Sequence, residues 1–205
     1  MSGRVEKARH AVKRCMWMLA LAAAVGWPAS AAAQQDTLLA RGNQTRALAA
    51  GWGHSWLHGL PGYGKAESDI QFVAFYPQVG WFLLSRLELY GEGTLHAYYD
   101  PEAAVFAGFM GAGGRYHFSN NRSWTPYLLL SGGLGWTSLD VVELDRAFNF
   151  QLAFGVGLRQ VTRRGPGWMF EFRNHHISNA GTKGENIGVN AATIVAGVHW
   201  VIRRR

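Results

Sequence analysis

The chain has 205 residues, of which 26 are glycine, 13% are aromatic and only 16% carry a charge. This length suits one domain better than two. The single cysteine, Cys15, lies near the N-terminus, so neither a disulfide framework nor a thiolate metal cluster is expected in the rest of the chain. The formal net charge of +7 is concentrated in the first residues, and nucleic acid is therefore not expected as a partner.

The first 33 residues have the three parts of a secretory signal peptide. Five Lys and Arg side chains come first, an apolar run follows over 16–25, and the small residues 31–33 provide a cleavage site. We expect cleavage after Ala33, which leaves one domain over 34–205. Loss of the five basic residues and Glu6 lowers the net charge to about +3.

The remaining chain has a hydrophobic period of two residues, which predicts β-strands. Over 148–158, large apolar side chains at even positions alternate with small or polar ones at odd positions. Over 86–98 the polar side chains fall at even positions, and no later apolar run is long enough for a transmembrane helix. Eight such segments are predicted, at residues 45–57, 69–83, 86–98, 104–118, 125–137, 148–162, 167–178 and 190–202.

Two kinds of eight-stranded barrel can use this pattern. A soluble lipocalin-like barrel has an apolar interior, whereas a membrane barrel has an apolar exterior. The polar face is rich in small residues such as Gly111 and Gly113, and the apolar face carries bulky ones such as Trp168 and Phe170. Because the interior of eight strands is narrow, the small residues belong inside. We therefore predict an all-β, up-and-down, antiparallel transmembrane barrel in the bacterial outer membrane.

The connections and the charged residues agree with this prediction. Short turns follow strands two, four and six, and longer connections of about ten residues follow strands one, five and seven, while the connection after strand three is brief. Short turns at one end and longer loops at the other are typical of outer-membrane barrels. Opposite charges that point into a narrow lumen can pair there, which makes transport an unexpected function. The inward-pointing charges are expected to be Glu88, Glu92, Arg115, Arg159, Glu171 and Arg173.

The end of strand seven carries a candidate catalytic pair. His176 and Ser178 share a face with three large aromatic residues, so both should face lipid near the outer leaflet, while His175 should face the lumen. A base within reach of a hydroxyl is the minimum for an activated serine nucleophile. A His-x-Ser pair at a strand end also occurs without any catalytic role. The other histidines are scattered and predict no metal site: His54, His58, His96, His117 and His199.

The stretch His176-Ile-Ser-Asn-Ala-Gly181 resembles the signature of the lipid A 3-O-deacylase (PagL-like) family. The resemblance extends to Asn186-Ile-Gly188, to Gly-Gly-Arg-Tyr-His-Phe118 and to Pro126-Tyr-Leu. It implies a serine hydrolase without cofactor or metal, acting on the lipid A of lipopolysaccharide. Ser178 would then be the nucleophile and His176 the general base, with Asn179 and Gly181 forming the oxyanion hole.

The third member of the implied triad departs from the family pattern. The family's acid lies twelve residues after the serine, where this chain has Asn190, and Glu185 lies earlier in the same loop. An asparagine oxygen can orient the imidazole but supplies no negative charge. The sequence leaves open whether Asn190 or Glu185 takes this role, or whether activity is lost. The chain also ends in Trp200-Val-Ile-Arg-Arg-Arg205, where such barrels usually close on a terminal aromatic residue.

The sequence is compatible with three functions. The leading hypothesis is a lipid A deacylase. The alternative is a non-catalytic outer-membrane barrel with an envelope-structural or lipid-binding role, and a soluble lipocalin-like binder comes third. The sequence does not decide which acyl chain is removed, and it is compatible with a homodimer.

Overall fold

The computed structural model describes residues 38–55, 68–119, 122–144, 146–163, 165–182 and 187–204. The predicted signal peptide, residues 1–33, lies outside these ranges. No helix among the described residues is long and apolar enough to cross a membrane. The strands are β1 (Gln44–His54), β2 (Gln71–Leu84), β3 (Leu87–Asp100), β4 (Ala104–His117), β5 (Trp124–Thr137), β6 (Phe148–Gln160), β7 (Gly167–Ser178) and β8 (Val189–Ile202).

These eight strands form a closed, up-and-down antiparallel barrel, which confirms the predicted fold. Each strand pairs with the next along the chain, and β8 pairs with β1 from Gln44↔Ile202 to His54↔Ala192. The connections after β2, β4 and β6 are short and lie at one end of the barrel. The connection after β1 spans 16 residues (55–70) and is longer than expected. By the rule for bacterial barrels, the end with the short turns faces the periplasm.

The outer face of the barrel is apolar. Large side chains in the middle of the strands are well exposed, for example Phe154 at 47% and Phe172 at 48%. Tryptophans lie near both ends, with Trp136 at the end of the longer loops and Trp81 at the end of the short turns. An apolar band with an aromatic residue at each border is the surface that a bilayer requires, so the lipocalin-like alternative is wrong.

The lumen is filled by the six predicted charged side chains, all of them buried. Arg173 donates to both carboxylate oxygens of Glu92 at 2.8 and 2.9 Å, and it also contacts Glu171. Arg159 donates to Glu88 at 2.9 Å. Three guanidinium groups thus balance three carboxylates in a space that excludes water, which is the arrangement that buried charges need.

One prediction about the faces of β4 is wrong. Gly111 was expected to face the lumen together with Gly113, but Gly111 is exposed. The pairing registers of β4 slip between Phe109 and Ala112 on the side of β5 and opposite Tyr90–Glu92 on the side of β3. A β-bulge inserts one extra residue into the strand, so the alternation between inside and outside changes phase there.

Candidate active site

His176 and Ser178 lie on the outward face of β7, at the end of the barrel opposite the short turns. The same face carries the exposed Trp168, Phe170 and Phe172 farther along the strand. In the sheet, Ser178 pairs with Phe150 of β6. The Ser178 side chain is nevertheless only 8% exposed. The serine therefore lies on the lipid side of the wall but is almost completely buried there.

Asn190 is the direct neighbour of His176 across the β7–β8 pair. Its Oδ1 lies 2.9 Å from His176 Nδ1. An amide oxygen can only accept a hydrogen bond, so Nδ1 carries the proton of the neutral imidazole and Nε2 keeps its lone pair. The contact therefore selects the tautomer in which Nε2 can act as a base. Glu185, the alternative partner, lies outside the described residues.

Gly188 closes the site from the loop between β7 and β8. Its φ is +73°, and a Cβ at this position would lie 2.8 Å from His176 Cε1 and 3.2 Å from Ser178 Cβ. Both distances are measured from one point, so the imidazole and the serine side chain border the same small volume. The ring atom nearest to this point, Cε1, is bonded to both ring nitrogens, Nδ1 and the basic Nε2.

The two expected oxyanion-hole residues follow Ser178 in a tight turn. Thr182 N donates to Asn179 O at 3.1 Å, and the two residues between them have positive φ, 54° at Ala180 and 69° at Gly181. Positive φ at both central positions is typical of a type I′ turn. Gly181 N donates to Asn179 Oδ1 at 2.8 Å. In this structure the Gly181 amide therefore points at a side-chain oxygen, and an oxyanion would have to replace that oxygen.

The loop between β5 and β6 supports the Gly188 segment, a contact that the sequence analysis did not anticipate. Glu143 O accepts a hydrogen bond from Gly188 N at 3.1 Å. The fully buried carboxylate of Glu143 accepts two more, from Ser68 N at 2.7 Å and Ser68 Oγ at 2.9 Å. Glu143 therefore joins three loops around the site. A single glutamate in a loop cannot be recognised from the sequence as a residue that joins three loops.

Apolar side chains of the same loop fill the mouth of the barrel. Leu139, Val141 and Leu144 are buried and belong to one hydrophobic cluster with Ile177 of β7 and Val189 of β8. Ile177 and Val189 are paired across the sheet, next to the His176–Asn190 pair. Burial of this apolar surface therefore holds the loop against the two strands that carry the site.

His175 and the other histidines are separate from the site. His175 faces the lumen as predicted, where its Nε2 lies 3.1 Å from Gln151 Oε1 and its ring packs edge-on against His96. Within the described ranges, no three His, Cys, Asp or Glu side chains are grouped in a way that could hold a metal ion.

Gly188 allows a test of the site's geometry. In Gly188→Ala the new methyl group would press on the imidazole at 2.8 Å, and the residue would be held at a φ that costs on the order of 1 kcal/mol or more. We expect ester hydrolysis to fall at least roughly tenfold while the barrel still folds. The rate of acyl release measures the effect, with Gly165→Ala as the control, because Gly165 also has positive φ but no neighbour within 4 Å. Equal losses in both variants would contradict the role of Gly188.

Comparison with solved structures shows that the fold is the β-barrel fold of outer-membrane proteins. The crystal structure of the outer membrane enzyme PagL has 17% sequence identity and a TM-score of 0.53, over 76% of this chain and 97% of that chain. The crystal structure of Neisserial surface protein A (NspA) has 14% identity and a TM-score of 0.55, over 79% of this chain and 97% of that chain. Both likenesses concern the fold.

The family is given by the sequence itself. The profile of the lipid A 3-O-deacylase (PagL) family matches residues 23–199, most of the chain. The chain therefore belongs to the lipid A 3-O-deacylase family. No curated protein sequence gives a significant match.

Proposed function

We propose that this protein removes the ester-linked acyl chain at position 3 of lipid A, with Ser178 as the nucleophile and His176 as the general base. The observation that carries the proposal is the 2.9 Å contact between His176 and Asn190, beside a serine whose Cβ borders the same Gly188 position as the ring. Family membership supplies the substrate class. The end of the barrel with the longer loops faces the outer leaflet, where lipid A resides, and this location supports the same substrate.

In the first half of the reaction, Ser178 Oγ bonds to the ester carbonyl carbon and its proton passes to His176 Nε2. The bond from the carbonyl carbon to the sugar oxygen then breaks, and the proton on Nε2 moves to that oxygen. In the second half, a water molecule attacks the acyl-serine and gives its proton to Nε2. The fatty acid leaves, and Ser178 Oγ regains a proton from Nε2.

The negative charge of each tetrahedral intermediate requires hydrogen-bond donors, and we assign this role to Asn179 and Gly181. The Gly181 N–H already donates to Asn179 Oδ1 within the turn, so the oxyanion takes over a donor that is in place. The acyl chain of the substrate can lie on exposed apolar side chains beside the site, Phe150 and Leu152 of β6.

Asn190 changes how the base is assisted. Its oxygen holds the Nε2-basic tautomer, but it adds no negative charge to the imidazolium that forms during the reaction. We therefore propose a slower deacylase in which Asn190 orients His176, and we assign Glu185 no step. No metal is needed in this scheme because a base activates the serine. Residues 1–33 are proposed to direct the chain to export as a signal peptide.

The proposal is tested by mass spectrometry of lipid A from cells that express the wild-type chain or Ser178→Ala. We expect loss of one hydroxyacyl chain with the wild type, and a fall of at least roughly a thousandfold in the variant, since it lacks the nucleophile. Ser131→Ala is the matched control, because Ser131 lies in the lumen, where its hydroxyl contacts Met110 Sδ at 2.8 Å.

The other outcomes have definite meanings. Continued deacylation by Ser178→Ala would rule out the serine mechanism. Unchanged lipid A in cells whose wild-type barrel is folded in the outer membrane would favour the non-catalytic barrel, for which the neutral Asn190 is the motivating observation.

A further inference from the structure

A basic groove lies at the periplasmic end of the barrel, far from Ser178, where β1, β2 and β8 meet. The first residue of β1, Gln44, pairs with Trp81 near the end of β2 and with Ile202 at the end of β8. The chain before β1 and the chain after β8 border a groove of about 960 Å³ at this seam. Three exposed arginines lie on it, namely Arg41, Arg203 and Arg204.

Among the described residues, the charge at this end of the barrel has one sign. None of the three groove arginines forms an ion pair with any residue that the structure describes. Among those residues, every exposed or half-buried carboxylate belongs to the opposite end of the barrel, and the remaining ones are buried in the lumen or the loops. The same periplasmic end carries further arginines in the turns after β4 and β6, Arg122 and Arg163. The groove is thus an electropositive site in which the described residues supply no counterion.

One wall of the groove is apolar and faces lipid. Trp81 and Leu83 are each 46% exposed and Ile202 is 39% exposed, on the outward face of their strands. A ligand in this groove would therefore contact guanidinium groups on the water side and bulky apolar side chains on the bilayer side. An amphiphile with a negative headgroup has this distribution of charge and apolar surface.

The basic segments are held in place by backbone contacts. Arg204 N donates to Asn43 Oδ1 at 3.1 Å, and Gly42 N donates to Phe82 O at 2.8 Å. A Cβ on Gly42, whose φ is +87°, would lie 3.4 Å from Arg204 Cδ, so the arginine stem packs directly on this glycine. Anchored side chains lose less conformational entropy when they bind a ligand.

We propose that this groove binds the phosphate headgroup of an anionic glycerophospholipid of the inner leaflet. The guanidinium forks of Arg41, Arg203 and Arg204 contact the phosphate, and the acyl chains lie along Trp81, Leu83 and Ile202. Planar guanidinium groups match phosphate oxygens in two-point contacts, and basic residues beside a bilayer attract anionic lipids.

The test is native mass spectrometry of the full chain, released from bilayer discs that contain equal amounts of phosphatidylglycerol and phosphatidylcholine. We expect the wild type to retain phosphatidylglycerol preferentially. Arg203→Gln/Arg204→Gln should lower this preference at least tenfold, since each arginine beside an anionic surface contributes about fivefold in affinity. The control Arg122→Gln/Arg163→Gln removes the same charge from the same end outside the groove, and it should keep most of the preference.

Three results would overturn the proposal. Equal losses in the two double variants would mean that diffuse charge attracts the lipid. Displacement of phosphatidylglycerol by inorganic phosphate would mean a simple anion site, because phosphate has no acyl chains to use the apolar wall. A dimer mass that disappears only in the groove variant would mean that a second copy of the chain occupies the groove. Folding of each variant is checked by the migration of unheated samples in gels, and lipid A deacylation should be unchanged.

Discussion

The Asn190→Asp variant is expected to hydrolyse lipid A roughly ten- to a hundredfold faster than the wild-type protein. Asn190 Oδ1 lies 2.9 Å from His176 Nδ1, and aspartate keeps an acceptor oxygen at this position. The added negative charge stabilises the imidazolium that forms when Ser178 loses its proton. Two opposite charges about 4 Å apart attract by about 4 kcal/mol near a protein surface, and the burial of Asn190 offsets part of this gain.

The measurement is the single-turnover rate of acyl release from purified lipid A, with the folded fraction of each variant determined beforehand. Asn190→Ala is the companion variant, and its rate should fall below that of the wild type because the imidazole loses its orienting acceptor. A rate for Asn190→Asp at or below the wild-type value would contradict the role of Asn190 as the partner of the base. Glu185 would then become the next residue to replace.

Arg173→Met is expected to destabilise the barrel by about 3–5 kcal/mol. The side chain donates to Glu92 at 2.8 and 2.9 Å and to Glu171 Oε2 at 2.6 Å from its Nε, and it lies over the ring of Tyr76. Methionine fills a similar volume but leaves two carboxylates in the lumen without this cation. The cost therefore comes from the stranded charges and exceeds what the pair contributes over apolar packing.

Urea titration gives the free energy of unfolding. The folded and unfolded forms, both in the same lipid, are separated by their migration in gels. Arg122→Met is the control, because Arg122 is exposed and its replacement should change stability by less than about 0.5 kcal/mol. The double variant Arg173→Met/Glu92→Gln should recover part of the loss, since one stranded charge becomes neutral. If the free energy of unfolding of Arg173→Met equalled that of the wild type, the lumen carboxylates would not require the arginine for stability.

Much of the architecture was predictable because strand geometry is local. Side chains alternate between the two faces of a strand, so Glu88 and Arg173 could be assigned to the lumen from their positions alone. The narrow lumen then decided which face was inside, since small and paired residues fit there and large aromatic ones do not. The same alternation put His176 and Ser178 on one outward face, as the structure has them.

Local alternation fails where a position depends on how neighbouring strands pair. Gly111 was assigned to the wrong face because a bulge depends on the registers of both neighbouring strands, which one strand's pattern does not contain. The pairing register of the β7–β8 hairpin also places Asn190 directly opposite His176. The sequence had left this role open between Asn190 and Glu185, because the spacing along the chain gives no distance across a loop.

By itself the sequence determined the barrel and the face that carries the His-x-Ser pair, because these follow from a two-residue period and the sizes of side chains. Only the tertiary structure decided what surrounds the pair. Gly188 lies against His176 and Ser178, and Glu143 joins Gly188 to the loop that contains Ser68. These contacts join residues that are distant in sequence and lie in loops without any period, so only the folded barrel brings them together.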